Sequence, residues 1–132
     1  MSEELPTRHV LDASAVLAYL QQEPGREVVA NLFAGAAIST VNWSEVLQKG
    51  LARGLDVAAL LDVLSAVGLR VVPFTAEDAE ATALLWPATR AFGLSLGDRA
   101  CLTLGLQRRC PVFTADRSWQ QLRLDLDIRM IR

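Results

Sequence analysis

The feature that most limits the possible folds is the alternation of short apolar runs with longer segments of helical periodicity. Five runs rich in β-branched residues predict strands, at residues 9–11, 36–39, 70–73, 111–114 and 127–131. Helical patterns lie between them, at residues 13–21, 26–34, 41–53, 56–67, 75–92, 95–109 and 118–122. The helix at 75–92 is expected to kink at Pro87. This order predicts an α/β fold whose short, mostly parallel sheet of four or five strands is covered by helices on both faces.

Length and charge narrow the range of functions. The chain has 132 residues, which fits a single domain spanning residues 1–132, and its 52% hydrophobic content excludes a disordered tail. Its 13 basic and 15 acidic side chains give a formal charge of −2. A protein that coats nucleic acid through charge alone is strongly basic, so the balance argues against that class.

Cysteine usage and the N-terminal residues bear on the cellular compartment. Cys101 and Cys110 are too few for a disulfide scaffold and are expected to be buried, reduced thiols of a cytoplasmic protein. The acidic, polar residues 1–6 are unlike a signal peptide. Asp56 and Asp62 interrupt the longest apolar stretch, so no membrane span is expected.

Four carboxylates are candidates for a catalytic site. In a parallel sheet the ligand cleft lies beyond the carboxyl ends of the strands, where the strand order reverses. Asp12 directly follows the first predicted strand and Asp116 closely follows the fourth, whereas Glu45 and Asp98 lie on predicted helices. Four converging carboxylates repel one another unless a cation joins them, and oxygen ligands suit Mg²⁺ or Mn²⁺. Such an ion can activate water for phosphodiester hydrolysis.

Asp12 and Glu45 are also open to purely structural interpretations. Asp12 is equally well placed to cap the helix that follows it. Glu45 stands four residues before Lys49, which favours an exposed helical ion pair. Helical periodicity also places Glu45 opposite the apolar stripe that contains Trp43 and Val46, so periodicity alone favours a solvated position.

Asp98 and Asp116 have structural alternatives of the same kind. Ser95 and Asp98 have the spacing of a capping box at the start of a helix. Asp116, two residues before Ser118, is typical of an Asx turn. From patterning alone, a metal site and four local structural roles therefore both stay open.

Four blocks of the sequence occur in order along the chain, namely LDASA at 11–15, ISTVNWSEV at 38–46, LSLGDRACL at 94–102 and VFTADRSW at 112–119. Taken together, they resemble the PIN-domain ribonucleases of the VapC type, the toxins of bacterial toxin–antitoxin pairs. The resemblance implies a three-layer α/β/α sandwich, cleavage of structured cellular RNA, and Mg²⁺ or Mn²⁺ as cofactor. It also implies an RNA substrate, a VapB-like antitoxin partner and a homodimer.

The resemblance assigns roles to individual residues. The acidic residues of the family correspond to Asp12, Glu45, Asp98 and Asp116, with Asp12 and Asp98 as direct metal ligands. It implies that Glu45 acts through water or orients the nucleophile, and that Asp116 is an outer ligand. The small polar positions that orient these carboxylates correspond to Ser14, Asn42 and Thr114.

Further residues are candidates for contact with RNA or with a protein partner. Arg99, Arg117 and Trp119 neighbour the acidic blocks and are candidate RNA contacts, although solvated helix surface explains the arginines equally well. Arg108, Arg109 and Arg123 belong to the same candidate phosphate-binding rim. The tryptophans are more typical of a core. The strongly apolar residues 51–69 predict a partner surface, with a buried helical hairpin as the alternative.

Two other function classes compete with a ribonuclease. A non-catalytic α/β binding or signalling module, such as a phosphoacceptor receiver, needs paired acids after the first strand and a lysine after a late strand. Here Asp12 has no acidic neighbour and Lys49 lies on a predicted helix. A metal phosphoesterase acting on DNA or small phosphate esters needs the same carboxylates, so the residues themselves do not distinguish it.

Overall fold

Five strands form one parallel sheet in the computed structural model, which describes residues 6–132. The strands are β1 (His9–Leu11), β2 (Ala36–Ser39), β3 (Arg70–Val72), β4 (Val112–Thr114) and β5 (Ile128–Met130). Their order across the sheet is β3-β2-β1-β4-β5, and every neighbouring pair is parallel. The predicted α/β class is confirmed.

Seven α-helices connect these strands within the described residues. They are α1 (Ala13–Leu20), α2 (Arg26–Ala30), α3 (Thr40–Ala52), α4 (Val57–Ala66), α5 (Ala76–Leu84), α6 (Trp86–Thr89) and α7 (Leu96–Arg108). The helix predicted at 75–92 is broken at Leu85, because Pro87 in the first turn of α6 has no N–H to continue the ladder. Residues 90–92 and the predicted helix near 118–122 form short 3₁₀ turns instead.

The sheet separates two apolar clusters, as the period of two in a strand requires. In β1, Leu11 packs on one face with residues of α1, whereas Val10 packs on the other face with residues of α7. Phe113 and Val112 of β4 divide between the same two clusters. Helices therefore cover both faces of the sheet, which completes the three layers.

The strand order also determines where the chain can build a binding cleft. The chain passes from β1 outward to β3 and then returns to the other side of β1 with β4 and β5. The order thus reverses between β1 and β4, whose carboxyl ends lead to Asp12 and to residues 115–116. A crevice at this edge is the usual ligand site of an open parallel sheet.

The remaining predictions concern the compartment and the N-terminus. Residues 1–5, most of the segment that is unlike a signal peptide, lie outside the described residues. Within residues 6–132, none of the helices combines the length and the apolar character needed to span a bilayer. Cys101 and Cys110 are buried free thiols, and burial raises the pKa of both.

Candidate active site

Asp12 lies at the carboxyl end of β1 and is only 5% exposed. Ser14 Oγ and Thr114 Oγ1 each donate a hydrogen bond of 2.7 Å to the same oxygen, Asp12 Oδ2. The side chain makes no capping bond to α1, so the structural role open to it from sequence is not used. Within residues 6–132, Oδ1 accepts no hydrogen bond and is left to bind another group.

The electrostatic setting of Asp12 is unfavourable for its charged form. Burial raises the pKa of Asp12 to about 6, although the hydroxyl bonds from Ser14 and Thr114 oppose the shift. The negative charges of Asp98 and Glu45 raise the pKa further. None of the ion pairs among residues 6–132 involves Asp12. The carboxylate is therefore buried beside like charges without a protein cation to balance it.

Glu45 faces this site, and the solvated position favoured by periodicity is wrong. Asn42 is fully buried, and its Nδ2 donates to Glu45 Oε1 at 2.9 Å and to the Gly97 carbonyl at 2.8 Å. The first bond lies within α3, and the second joins α3 to the first turn of α7. The predicted pair with Lys49 is not among the ion pairs of the described residues. Periodicity failed because α7 covers a face that the isolated helix pattern marks as exposed.

Gly97 is a site residue for which the sequence provided only a weak signal. A Cβ at this position would lie 2.9 Å from Glu45 Cδ and still closer to Glu45 Oε1. A glycine in the first turn of a helix is unfavourable for helix formation, so its presence beside Asp98 was the available clue. Because Gly97 has no side chain, the Glu45 carboxylate can occupy the space beside it.

Asp98 combines the structural and the electrostatic role. It forms a capping box, in which Ser95 N–H donates to Asp98 Oδ2 at 2.9 Å and Asp98 N–H donates to Ser95 Oγ at 3.1 Å. Its charge also acts on Asp12. The buried thiol of Cys101, one turn further along α7, has its pKa raised first by burial and then by the charges of Asp12, Asp98 and Glu45. Asp12, Glu45 and Asp98 therefore lie near enough for their charges to act on Cys101, and we call these three residues the carboxylate cluster.

Asp116 lies outside the carboxylate cluster. Its side chain is exposed, and Oδ1 accepts from Ser118 N–H at 3.0 Å and from Ser118 Oγ at 2.7 Å. The Asx turn expected from its spacing is thus present. Asp116 N–H donates to Thr114 Oγ1 at 3.0 Å, which connects this turn to the hydroxyl that bonds Asp12. Of the four predicted carboxylates, Asp98 and Glu45 act electrostatically on Asp12, whereas Asp116 is exposed.

The sequence matches a model of the PIN domain family over residues 9–124. The chain belongs to the PIN domain family. Its fold is similar to that of a DNA-bound VapBC complex from Salmonella typhimurium, with 16% identity, a TM-score of 0.73 and coverage of 95% of this chain and 98% of that chain. A toxin–antitoxin complex from Klebsiella pneumoniae gives 16% identity, a TM-score of 0.70 and coverage of 86% and 91%.

A third similar structure is FitAcB from Neisseria gonorrhoeae, with 20% identity, a TM-score of 0.65 and coverage of 92% of this chain and 96% of that chain. No curated protein matches the sequence. The solved structures therefore support the PIN fold, and the family model supports the assignment of the chain to it.

The donor set of this PIN domain fits a hard divalent cation. All three side chains of the cluster offer carboxylate oxygens, the ligands that Mg²⁺ and Mn²⁺ prefer. The unbonded Oδ1 of Asp12 and its uncompensated charge are what a metal ligand requires. Among residues 6–132, however, no three acidic, histidine or cysteine side chains are gathered in a geometry that would hold an ion. Glu45 and Asp98 instead bond the local donors of Asn42 and Ser95.

The predicted RNA contacts fare differently from one another. Trp119 is 0% exposed, so the prediction that it contacts RNA is wrong, because a buried ring offers no face to a base. Trp86 is instead 50% exposed, with the Arg90 guanidinium 5.2 Å from its ring centre, and the expectation of a core position for it is also wrong. Arg99 is partly buried, and its Nη1 donates to the Thr82 carbonyl at 3.1 Å. Arg117 is exposed.

A cleft of about 390 Å³ lies beside the site, between α1 and α3. Ser14, which bonds Asp12, is at one end of it, and we call it the α1–α3 cleft. Its lining comprises Ser14, Leu17, Gln21, Glu23, Lys49, Ala52, Arg53 and Arg132. A larger cavity of about 770 Å³ is lined in part by Gly105, Cys110 and Leu126. It lies at the amino ends of β4 and β5, away from the carboxylate cluster.

Proposed function

We propose that this PIN domain is a metal-dependent endoribonuclease toxin that cleaves structured cellular RNA in the cytoplasm and is neutralised by a VapB-like antitoxin. The observation that carries the proposal is Asp12, a buried carboxylate with a free oxygen and two further carboxylates acting on it. A local structural role leaves this arrangement unexplained, since the Asp12 side chain makes no capping bond to α1 and takes part in none of the ion pairs of residues 6–132. A divalent ion would remove the repulsion.

Each residue has a distinct task in the proposed reaction. Asp12 and Asp98 would hold Mg²⁺ or Mn²⁺ directly, and Glu45 would act through water or orient the nucleophile. When bound, such an ion polarises a phosphoryl oxygen and lowers the pKa of water. Asp116 would act from the outer shell, in keeping with its exposed position.

Three neutral polar side chains orient the carboxylates by hydrogen bonds. Ser14 and Thr114 hold Asp12 Oδ2 and so direct Oδ1 away from the protein donors. Asn42 holds Glu45 against Gly97. We assign to these three residues the role of orienting the carboxylates, as the hydrogen-bond partners of metal ligands do.

The exposed apolar surface around α3 and α4 indicates where protein partners bind. Leu51, Leu55, Leu61 and Val63 are all exposed large side chains, although Leu60 of the same region is buried in the core. We propose that the antitoxin and a second copy of the chain cover this surface, because an exposed apolar patch of this kind usually marks an interface. The similar structures named as toxin–antitoxin complexes support a VapB-like partner.

Purified protein incubated with structured RNA and Mg²⁺ or Mn²⁺ tests the proposal. We expect cleavage that stops when EDTA is added and that is lost in Asp98→Asn. Asparagine still accepts the Ser95 N–H, so the capping box and the fold survive that change. Asp125→Asn, which removes an exposed carboxylate elsewhere, is the matched control.

Three results would contradict the proposal. Cleavage that persists in EDTA rejects the metal, and full activity of Asp98→Asn rejects the assignment of that residue. Hydrolysis of DNA or small phosphate esters with RNA left intact would favour the phosphoesterase alternative. Mapping the cleaved RNA ends after expression of the wild type and of Asp98→Asn identifies the target.

A further inference from the structure

The α1–α3 cleft begins at Ser14, which is hydrogen-bonded to Asp12 of the carboxylate cluster. Ser14, Leu17 and Gln21 line it from successive turns of α1 and its C-terminal end, and Ser14 is itself bonded to Asp12. The other wall is formed by Lys49, in the last turn of α3, and by Arg53, the C-cap residue of that helix. A ligand held at the carboxylates can therefore extend into the cleft without crossing the core.

One face of α3 connects the catalytic and the basic side chains. Residues four apart lie on the same face of a helix, so Glu45 and Lys49 form a row, and Arg53, the C-cap residue of α3, follows at its end. Glu45 is directed at Gly97 and the cluster, which fixes the direction of the row. Eight residues of helix span about 12 Å, the length of about three to four stacked nucleotides.

The charge of the cleft is positive and available to a ligand. Lys49, Arg53 and Arg132 oppose a single acidic lining residue, Glu23. Arg132 is engaged, because its Nη1 lies 3.8 Å from Glu23 Oε1 and donates to the Pro24 carbonyl at 3.0 Å. Lys49 and Arg53 are exposed, and no ion pair among residues 6–132 includes either of them.

We propose that the α1–α3 cleft binds the backbone phosphates of the RNA strand that flank the scissile bond, with Lys49 and Arg53 as the contact residues. The inference rests on the proposed ribonuclease function and specifies which surface of the chain receives the substrate. Exposed, unpaired cations leading away from a catalytic centre suit phosphates, which are the dominant electrostatic target on a nucleic acid. The cleft positions the strand and takes no part in bond cleavage.

The test compares three double variants with the wild type. Lys49→Gln/Arg53→Gln removes both cleft charges, and Lys49→Arg/Arg53→Lys retains them. Arg8→Gln/Arg90→Gln removes two exposed charges that lie outside the cleft lining and outside the candidate phosphate-binding rim, and it serves as the matched control. Binding of a short fluorescein-labelled single-stranded RNA is measured by anisotropy in EDTA over a series of KCl concentrations. Cleavage of a structured RNA in Mg²⁺ or Mn²⁺ gives kcat and KM.

Loss of the two cleft charges is expected to raise Kd and KM about tenfold at low salt and to leave kcat unchanged. The slope of log Kd against log salt should fall by about 1.4, since each phosphate contact on a single strand contributes about 0.7. The charge-retaining variant should restore both values, and the control variant should resemble the wild type.

Several outcomes would overturn the assignment. Wild-type Kd and salt slope in Lys49→Gln/Arg53→Gln, or equal losses in the control variant, reject the cleft as the RNA surface. A fall in kcat with KM unchanged rejects a purely binding role. Weaker antitoxin binding with unchanged RNA affinity assigns the cleft to the antitoxin instead. Absence of cleavage by the wild type overturns the proposed function, whereas the anisotropy measurement decides separately whether the cleft binds RNA.

Discussion

Asp12→Asn should stabilise the metal-free protein while abolishing its activity. Burial raises the pKa of Asp12 from 3.8 to about 6. A carboxyl group with a raised pKa binds its proton more tightly in the folded state than in the unfolded state, so the wild type loses stability as the pH rises through this interval. A shift of about two units corresponds to about 3 kcal/mol of unfolding free energy above pH 6.

Asparagine removes the charge and keeps the shape of the side chain. Its Oδ1 can accept the bonds that Ser14 and Thr114 now donate to Asp12 Oδ2. Its Nδ2 would take the place of Asp12 Oδ1, which has no protein partner, and leaving an amide unbonded costs about 1–3 kcal/mol. We therefore expect Asp12→Asn to gain up to about 2 kcal/mol of unfolding free energy in EDTA above pH 6.

Urea unfolding followed by tryptophan fluorescence measures this difference at one pH about two units below the raised pKa and at another about two units above it. The advantage of Asp12→Asn should be present at the higher pH and lost at the lower one. Excess Mg²⁺ should stabilise only the wild type, since a ligand stabilises the state that binds it. Asp125→Asn controls for net charge. A stability difference between Asp12→Asn and the wild type that is the same at both pH values in EDTA, with Asp125→Asn unchanged, would refute the claim that burial disfavours the charged form of Asp12.

Three further changes test individual positions. Gly97→Ala should displace the Glu45 carboxylate and lower kcat about 10–100-fold, with an unfolding free energy that is unchanged or up to about 1 kcal/mol higher; normal kcat would contradict the role of Gly97. Trp119→Ala should lose about 3–5 kcal/mol in urea unfolding, whereas Trp119→Phe should bind RNA as the wild type does, because the indole is buried. Asp116→Asn should lower kcat only about tenfold, in contrast to the complete loss in Asp98→Asn, and an equal loss in both would place Asp116 among the direct ligands.

The strands and the position of the cleft could be predicted because both depend on local patterns. A β-branched run followed by a polar residue marks the end of a buried strand, and Asp12 is such a residue. The strand order, which the local patterns do not specify, then pairs β1 with β4 in parallel and brings their carboxyl ends together. The hydrogen bond from Thr114 to Asp12 joins residues 102 positions apart, yet it follows from this register.

Glu45 and Trp119 could not be placed in the same way, because their surroundings come from distant segments. The sequence of α3 alone predicts that Glu45 is exposed to solvent. In the structure, Asn42 bonds both Glu45 and the Gly97 carbonyl, so this face of α3 packs against α7 at the site. Trp119 follows Asp116 closely in sequence, yet it lies in a 3₁₀ turn that places its ring in the apolar cluster on the α7 side of the sheet. Helix periodicity describes one element, and burial depends on which neighbour packs against it.

The distribution of charge is compatible with the action on RNA that we propose for a chain of net charge −2. Setting aside the four candidate site carboxylates leaves 11 acidic against 13 basic side chains, so the rest of the chain is slightly positive. In the proposed function, the carboxylate cluster repels phosphate when no cation is bound, and the α1–α3 cleft attracts it a short distance away. A scissile phosphate would then approach the cluster only when a divalent ion reverses the local charge. The productive position of the RNA strand, and not only its hydrolysis, would therefore depend on the metal.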